Sequence, residues 1–141
     1  MNTEFIPYEQ ALALKDIGYQ SANPIGGYRG GAVFYYDKGS ELFYDGLPMY
    51  SSSYHEGQII APLYQQAFKW FREKNGLVIQ YIPSEIDNSE GQSILHHYYR
   101  ISEYDSWRGG RRNTVETELN EDYEEAELEC LKKLIEIVKQ K

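Results

Sequence analysis

The chain is poor in the residues on which most recognisable chemistry is built. Cys130 is the only cysteine, so no disulfide forms within the chain and a cysteine-built zinc site is excluded. It falls within a helical pattern, where a free thiol packs as a small apolar side chain. Only three histidines are present. His96 and His97 are neighbours that a strand would send to opposite faces, and His55 belongs to a loop, so no metal-ligand spacing emerges. No Gly-x-Ser-x-Gly elbow marks a hydrolase nucleophile, and no carboxylate pair is singled out for acid–base work. No run approaches the ~20 apolar residues of a membrane span. The start Met1-Asn2-Thr3-Glu4 lacks the basic region of a signal peptide, which places the expected location in the cytoplasm.

Positive charge is also scarce. Fourteen Lys and Arg stand against 22 Asp and Glu, a net charge of -8. Nucleic-acid binding relies on clustered cations neutralising phosphates, so this balance argues against it. The charge is uneven, however. Arg100, Arg108, Arg111 and Arg112 gather shortly before an acidic run over residues 116–129, which leaves room for a local basic site.

Aromatic rings are abundant, with 14 tyrosines against 5 phenylalanines. Tyr joins an apolar ring to a polar tip and suits half-buried strands as well as recognition surfaces. Its dominance fits either a sheet with one wet face or a binding surface. The 141 residues set the expectation of one domain, 1–141.

The best specified helix lies over residues 61–76. Pro62 suits a first helical position. Leu63, Ala67, Trp70 and Phe71 share one helical face. Arg72 and Lys74 favour the carbonyl end, and Gly76 closes it. A first helix is expected over 7–17, with Tyr8, Ala11, Leu12 and Lys15 on its stripe, Leu14 beside it and Gly18 after its end. A last one is expected over 121–139, with Asn120 as N-cap, acids matched to the positive end, and Leu131, Leu134, Ile135 and Val138 on its stripe. The acidic run there reads first as a solvated, dipole-matched face.

Three helix starts echo one another: Tyr8-Glu9-Gln10-Ala11, Tyr64-Gln65-Gln66-Ala67 and Tyr123-Glu124-Glu125-Ala126, spaced 56 and 59 residues apart. Tyr and Ala at i and i+3 share a face, so the same positions are expected to touch a core each time. A duplicated helix-plus-strands unit or a chance coincidence both account for it.

Between the helices, residues 32–36 and 41–44 read as a hairpin around Asp37-Lys38-Gly39-Ser40. Residues 77–82 read as a strand ended by Pro83, and 84–93 as a turn. A strand is expected over 94–104, and a returning one over 113–119. The glycine-rich Gly26-Gly27-Tyr28-Arg29-Gly30-Gly31 lacks a following Gly-Lys-Ser/Thr and a helix start, and reads as a connection. The expected class is α+β, three amphipathic helices covering short antiparallel sheets in the order α-β-β-α-β-β(-β)-α.

One constellation could bind a ligand: Arg100, Trp107, Arg108, Arg111 and Arg112, with Tyr99 beside Tyr98 and Tyr104. Arginine forks match phosphate or carboxylate oxygens and aromatic faces stack on bases. The alternative is a charged hairpin tip with its arginines paired to Glu103, Asp105 or the acidic helix.

The run Tyr123-Glu124-Glu125-Ala126-Glu127-Leu128-Glu129-Cys130-Leu131-Lys132-Lys133-Leu134-Ile135-Glu136-Ile137-Val138-Lys139 resembles the ending of a group of small proteins of Bacteroidetes tailed phages and prophages. Phe68-Lys69-Trp70-Phe71-Arg72-Glu73-Lys74 and Ala11-Leu12-Ala13-Leu14-Lys15 are similar to their middle and start. The resemblance covers the helices and leaves out the loops around Gly26, Ser52 and Arg111. It implies a phage-encoded accessory protein acting in a bacterial cytoplasm, and it carries over no activity.

The leading expectation is a non-enzymatic, homo-oligomeric binding protein without metal or cofactor, whose ligand is an anionic, nucleotide-like signal of host defence. The alternative is a protein-interaction module that inhibits or redirects a host protein, and a third reading is a small enzyme.

Overall fold

In a computed structural model of the chain, the residues described are 5–19, 33–37, 42–45, 58–60, 62–105 and 110–140. The class is α+β, with three helices and antiparallel sheets among these residues. The chain divides into two compact units, Met1–Trp70 and Phe71–Lys141, where composition sets the expectation of one domain.

In the first unit, helix α1 (Tyr8–Asp16) is followed by strands β1 (Val33–Asp37), β2 (Leu42–Asp45) and β3 (Gln58–Ile60). The sheet order is β2-β1-β3, antiparallel throughout. The expected hairpin is present, with Tyr36 opposite Leu42. The third strand begins where the loop composition of residues 45–58 ends, and three residues are too few to show a period. Helix α1 buries Ala11 and Leu14, whereas Leu12 is exposed; the buried stripe therefore runs through Leu14 and not through Leu12. Gly18 takes a φ of 102° after the helix, the left-handed conformation that glycine adopts without Cβ strain. The Tyr36 hydroxyl donates to the Ile6 carbonyl at 2.7 Å, and its ring meets Tyr8 edge-on. Tyr19 meets Trp70 in the same manner, and both rings are buried.

Helix α2 (Tyr64–Asn75) crosses the boundary between the units. Its first intrahelical bond runs from the Ala67 amide to the Leu63 carbonyl, which makes Leu63 the N-cap and moves Pro62 to the residue before it. The Gln66 side chain reaches back to accept from the Leu63 amide at 2.9 Å, half of a capping box. Ala67, Trp70 and Phe71 are buried, and Gly76 closes the helix at φ 66°.

In the second unit, strands β4 (Leu77–Asp87), β5 (Ser93–Asp105) and β6 (Gly110–Glu116) form an antiparallel sheet in that order, and helix α3 (Tyr123–Lys139) packs on β5. Strand β4 passes through Pro83 and ends four residues beyond it. A proline's missing donor is tolerated on an edge strand, which β4 is. The turn is confined to residues 88–92, where Asn88 Oδ1 accepts from the amides of Glu90 and Gln92, both at 2.9 Å, and Gly91 supplies a φ of 80°. Strand β6 begins at Gly110 instead of 113, and a register shift between Ile101 and Glu103 fits one extra β6 residue into the pairing. The N-cap of α3 is Asp122, whose side chain accepts from the Glu124 amide. Asn120 stands two residues earlier and holds the Asp122 amide. Ala126, Cys130, Leu131, Leu134 and Ile135 form the buried stripe of α3, with Val138 only half-buried.

The echo survives in part. Tyr8, Tyr64 and Tyr123 each open a helix, and Ala11, Ala67 and Ala126 are all buried. The two sheets nevertheless differ in order, β1 being central in one and β5, the second strand, in the other. Tyr64 is buried, while Tyr123 is 42% exposed.

Leu134→Ala removes a fully buried side chain and is expected to cost about 2–5 kcal/mol in urea unfolding. Leu12→Ala, on the exposed side of α1, is expected to stay within about 0.5 kcal/mol. Gly76→Ala meets no neighbouring atom, so its expected loss of about 1–2 kcal/mol is left-handed backbone strain alone.

Candidate functional site

Strand β5 sorts the sequence-derived site residues onto different faces. Successive side chains alternate across a strand, so Tyr99 and Arg100, adjacent in sequence, point apart. Tyr99 is buried on the α3 side, where its hydroxyl donates to that of Tyr123 at 3.3 Å. Arg100 stands on the opposite face and donates through Nε and Nη2 to Glu116 Oε2 at 3.1 and 3.0 Å. Glu116 is its register partner on β6. Arg112 pairs with Glu103 and Arg111 with Tyr104, four and five β6 residues from Glu116, or about 13–17 Å at the usual rise. Arg111 and Arg112 thus share the end of the β5–β6 hairpin with Tyr104 and are separate from Arg100. Trp107 and Arg108 lie outside the described residues, as do the glycine-rich segment and His55. Of the named constellation, the fold brings Arg111, Arg112 and Tyr104 to one place and removes Tyr99 and Arg100 from it.

The Arg100 face also carries a shallow cleft of about 280 Å³ lined by Ser84, Tyr98, Glu116, Thr117 and Leu119. His96 belongs to this face, opposite Ser84, and its Nε2 lies 3.7 Å from Glu121 Oε1.

The opposite face holds a ring cluster that composition does not reveal. Register places Tyr81 against Tyr99 and Pro83 against His97, and α3 sets Tyr123 over them. Ring centroids lie 5.4 Å apart for Tyr81 and Tyr123, 5.6 Å for Tyr81 and Tyr99, 5.7 Å for Tyr81 and His97, and 5.5 Å for His97 and Tyr123. The Tyr81 hydroxyl and His97 Nδ1 are hydrogen-bonded. Backbone bonds in both directions between His97 and Asn120 fix the segment that leads into α3. The Tyr99 amide donates to Thr117 Oγ1 and its carbonyl accepts from the Thr117 amide, both at 2.9 Å.

Titration follows burial here. Burial holds the Tyr99 phenol far above the usual range, with its Tyr123 hydrogen bond adding to the effect. Burial also raises the Glu127 carboxyl, opposed by a hydrogen bond from Tyr123 and assisted by the nearby Glu124 charge. Cys130 is fully buried in α3, and that burial pushes its thiol up, with Glu127 and Glu129 contributing. Tyr99 and Cys130 thus stay in their neutral forms, and the cluster offers rings and hydrogen bonds. Among the described residues, no three His, Cys, Asp or Glu side chains gather as metal ligands. Again among those residues, no helix is long and apolar enough to cross a membrane.

The ring cluster escapes sequence reasoning because its members are 42 residues apart at the extremes and meet only through a register set by the 88–92 turn. The one available signal is the Tyr123 helix start, read as a core position.

The chain matches no family model, no curated protein and no solved structure.

Cys130 is expected to be silent toward a disulfide reagent in the native protein and to react with one equivalent after unfolding in urea. Glu127 has a folded pKa above its unfolded value, so its contribution to stability is present at acid pH and is lost as pH rises through the folded value. Glu127→Gln is therefore expected to raise the midpoint of thermal unfolding at pH 7, with the gain shrinking as pH falls through the carboxylate range.

Proposed function

We propose that the chain is a non-enzymatic binding protein of the phage accessory type, and that it docks a protein partner through the second unit. The observation that carries this reading is the exposed apolar group on the α3 side of the sheet, Tyr81 and Leu95 with Tyr123 above them, whereas Ile86 and Leu119 are exposed on the Arg100 face. Single exposed apolar residues are ordinary, but rings and branched side chains gathered on one small sheet mark an interaction surface. The burial of Cys130 removes the one thiol from reach.

A pull-down from bacterial host lysate tests it. The chain is expected to retain a partner in stoichiometric amount, and Leu95→Asp, a change at an exposed position, is expected to abolish retention without lowering thermal stability. No stoichiometric partner, or a partner held equally by Leu95→Asp, overturns the reading.

A second reading, an anionic nucleotide-like ligand, is supported by the pairing of Arg111 with Tyr104, which is 61% exposed at the hairpin end. Calorimetry with a panel of cyclic and linear nucleotides is expected, on that reading, to give heat that Arg111→Ala with Arg112→Ala removes; no heat across the panel excludes it.

A further inference from the structure

We propose that the face presented by Tyr81 and Tyr123 takes a cationic side chain, an arginine or lysine on a basic segment of a partner protein. This rests on the binding reading above and names the chemistry of the partner. Tyr81 is 36% and Tyr123 42% exposed, and their planes meet at 46° with centroids 5.4 Å apart. The two rings are tilted against each other and both meet the His97 ring, with buried Tyr99 behind Tyr81, so the half-exposed outer surface of the pair is aromatic. Ring faces attract a cation through their quadrupole, and tyrosine surfaces of this kind recognise ammonium and guanidinium groups.

The charges around the rings point the same way. Neither β4 nor β5 places a Lys or Arg on this face; Arg100, the one cation in these two strands, is on the other and is held by Glu116. In α3 the first Lys is Lys132, and the two turns before it carry Glu124, Glu125, Glu127 and Glu129. Glu85 lies on the Tyr81 side of β4, opposite the exposed Leu95. The positive end of α3 amounts to about half an elementary charge, and Asp122, Glu124 and Glu125 already outnumber it. Glu127 is half-buried and hydrogen-bonded to Tyr123, so its carboxylate is poorly hydrated and gains from a cation brought alongside. A second copy of this chain is -8 overall and could offer positive charge only locally, as at Arg111 and Arg112, so self-association is kept as an outcome of the test. Leu95, two residues from His97 on the same face, gives an apolar contact for the stem of the incoming side chain or for its neighbour.

Fluorescence anisotropy with labelled nona-arginine, and with nona-citrulline as its neutral isostere, tests the proposal on the full chain. Nona-arginine is expected to bind saturably and nona-citrulline not at all. Tyr81→Ala with Tyr123→Ala is expected to weaken binding about fivefold to thirtyfold, the sum of two exposed cation–ring contacts. Tyr81→Phe with Tyr123→Phe, which keeps the rings, is expected to restore it to within about twofold. Glu127→Gln is expected to weaken it, with thermal unfolding of each variant confirming the fold. Equal binding by the chain and by the double Ala variant means general charge attraction and overturns the proposal, as does binding of nona-citrulline. Failure of nona-arginine, while the lysate partner is still captured and still lost in Leu95→Asp, overturns the cationic chemistry and leaves the docking surface intact. Failure of both removes the docking surface as well. Sedimentation of the free chain adds one outcome: a dimer broken by the double Ala variant assigns the face to self-association and overturns the proposal.

Discussion

The second unit hangs on Tyr99. Its amide donates to the Thr117 hydroxyl, its carbonyl accepts from the Thr117 amide, and its hydroxyl reaches Tyr123. One buried residue thereby fixes the return of the chain after β6, the placement of α3 and the inward face of β5. A buried polar group left without its partner costs about 1–3 kcal/mol. Three such groups satisfied at one residue leave little freedom for an alternative register. A slip by one position would also turn Tyr99 and Ile101 to solvent and bring Arg100 beneath the helix.

That constraint explains why the ligand constellation read from the sequence comes apart. Proximity in sequence implies proximity in space only for residues of like parity along a strand. Tyr99 and Arg100 violate it by one, and the pairing of Arg100 with Glu116 settles its surroundings. Arg111 and Arg112, beyond the bulge, are both at the end of the β5–β6 hairpin, in register with Tyr104 and Glu103. Arg100 is ion-paired along the sheet with Glu116 of β6, a partner other than Glu103, Asp105 or the last helix.

The helices were legible because their signals are local. A cap, a stripe of apolar side chains and a terminal glycine fall within a dozen residues, and Gly18 and Gly76 adopt the positive φ their positions call for. The sheets were legible only as strands. Pro83 looked like a boundary because a proline ends a central strand, and it does not end an edge strand; edge or centre is a fact of pairing and not of composition. Strand β3 was invisible because its three residues owe their conformation to β1. The ring cluster was invisible for the same reason, since Tyr81, His97 and Tyr123 come from three elements.

The helix-opening motif shows how one local pattern can serve two ends. In each copy the alanine is buried, since only a small side chain lets the helix approach its neighbour closely. The tyrosine has no such fixed fate. Tyr64 is buried against Phe68, whereas Tyr123 leans on Tyr81 and His97 and keeps its outer surface in water. At the start of α3, strands β4 and β5 raise Tyr81 and His97 under the Tyr123 ring. A ring at that position is supported from below and prevented from sinking into the core. Rigid support beneath and solvent above is the condition under which an aromatic side chain lends contact area to a partner at low entropic cost. The same residue type that closes a core in one helix is, in another, a half-exposed ring resting on Tyr81 and His97.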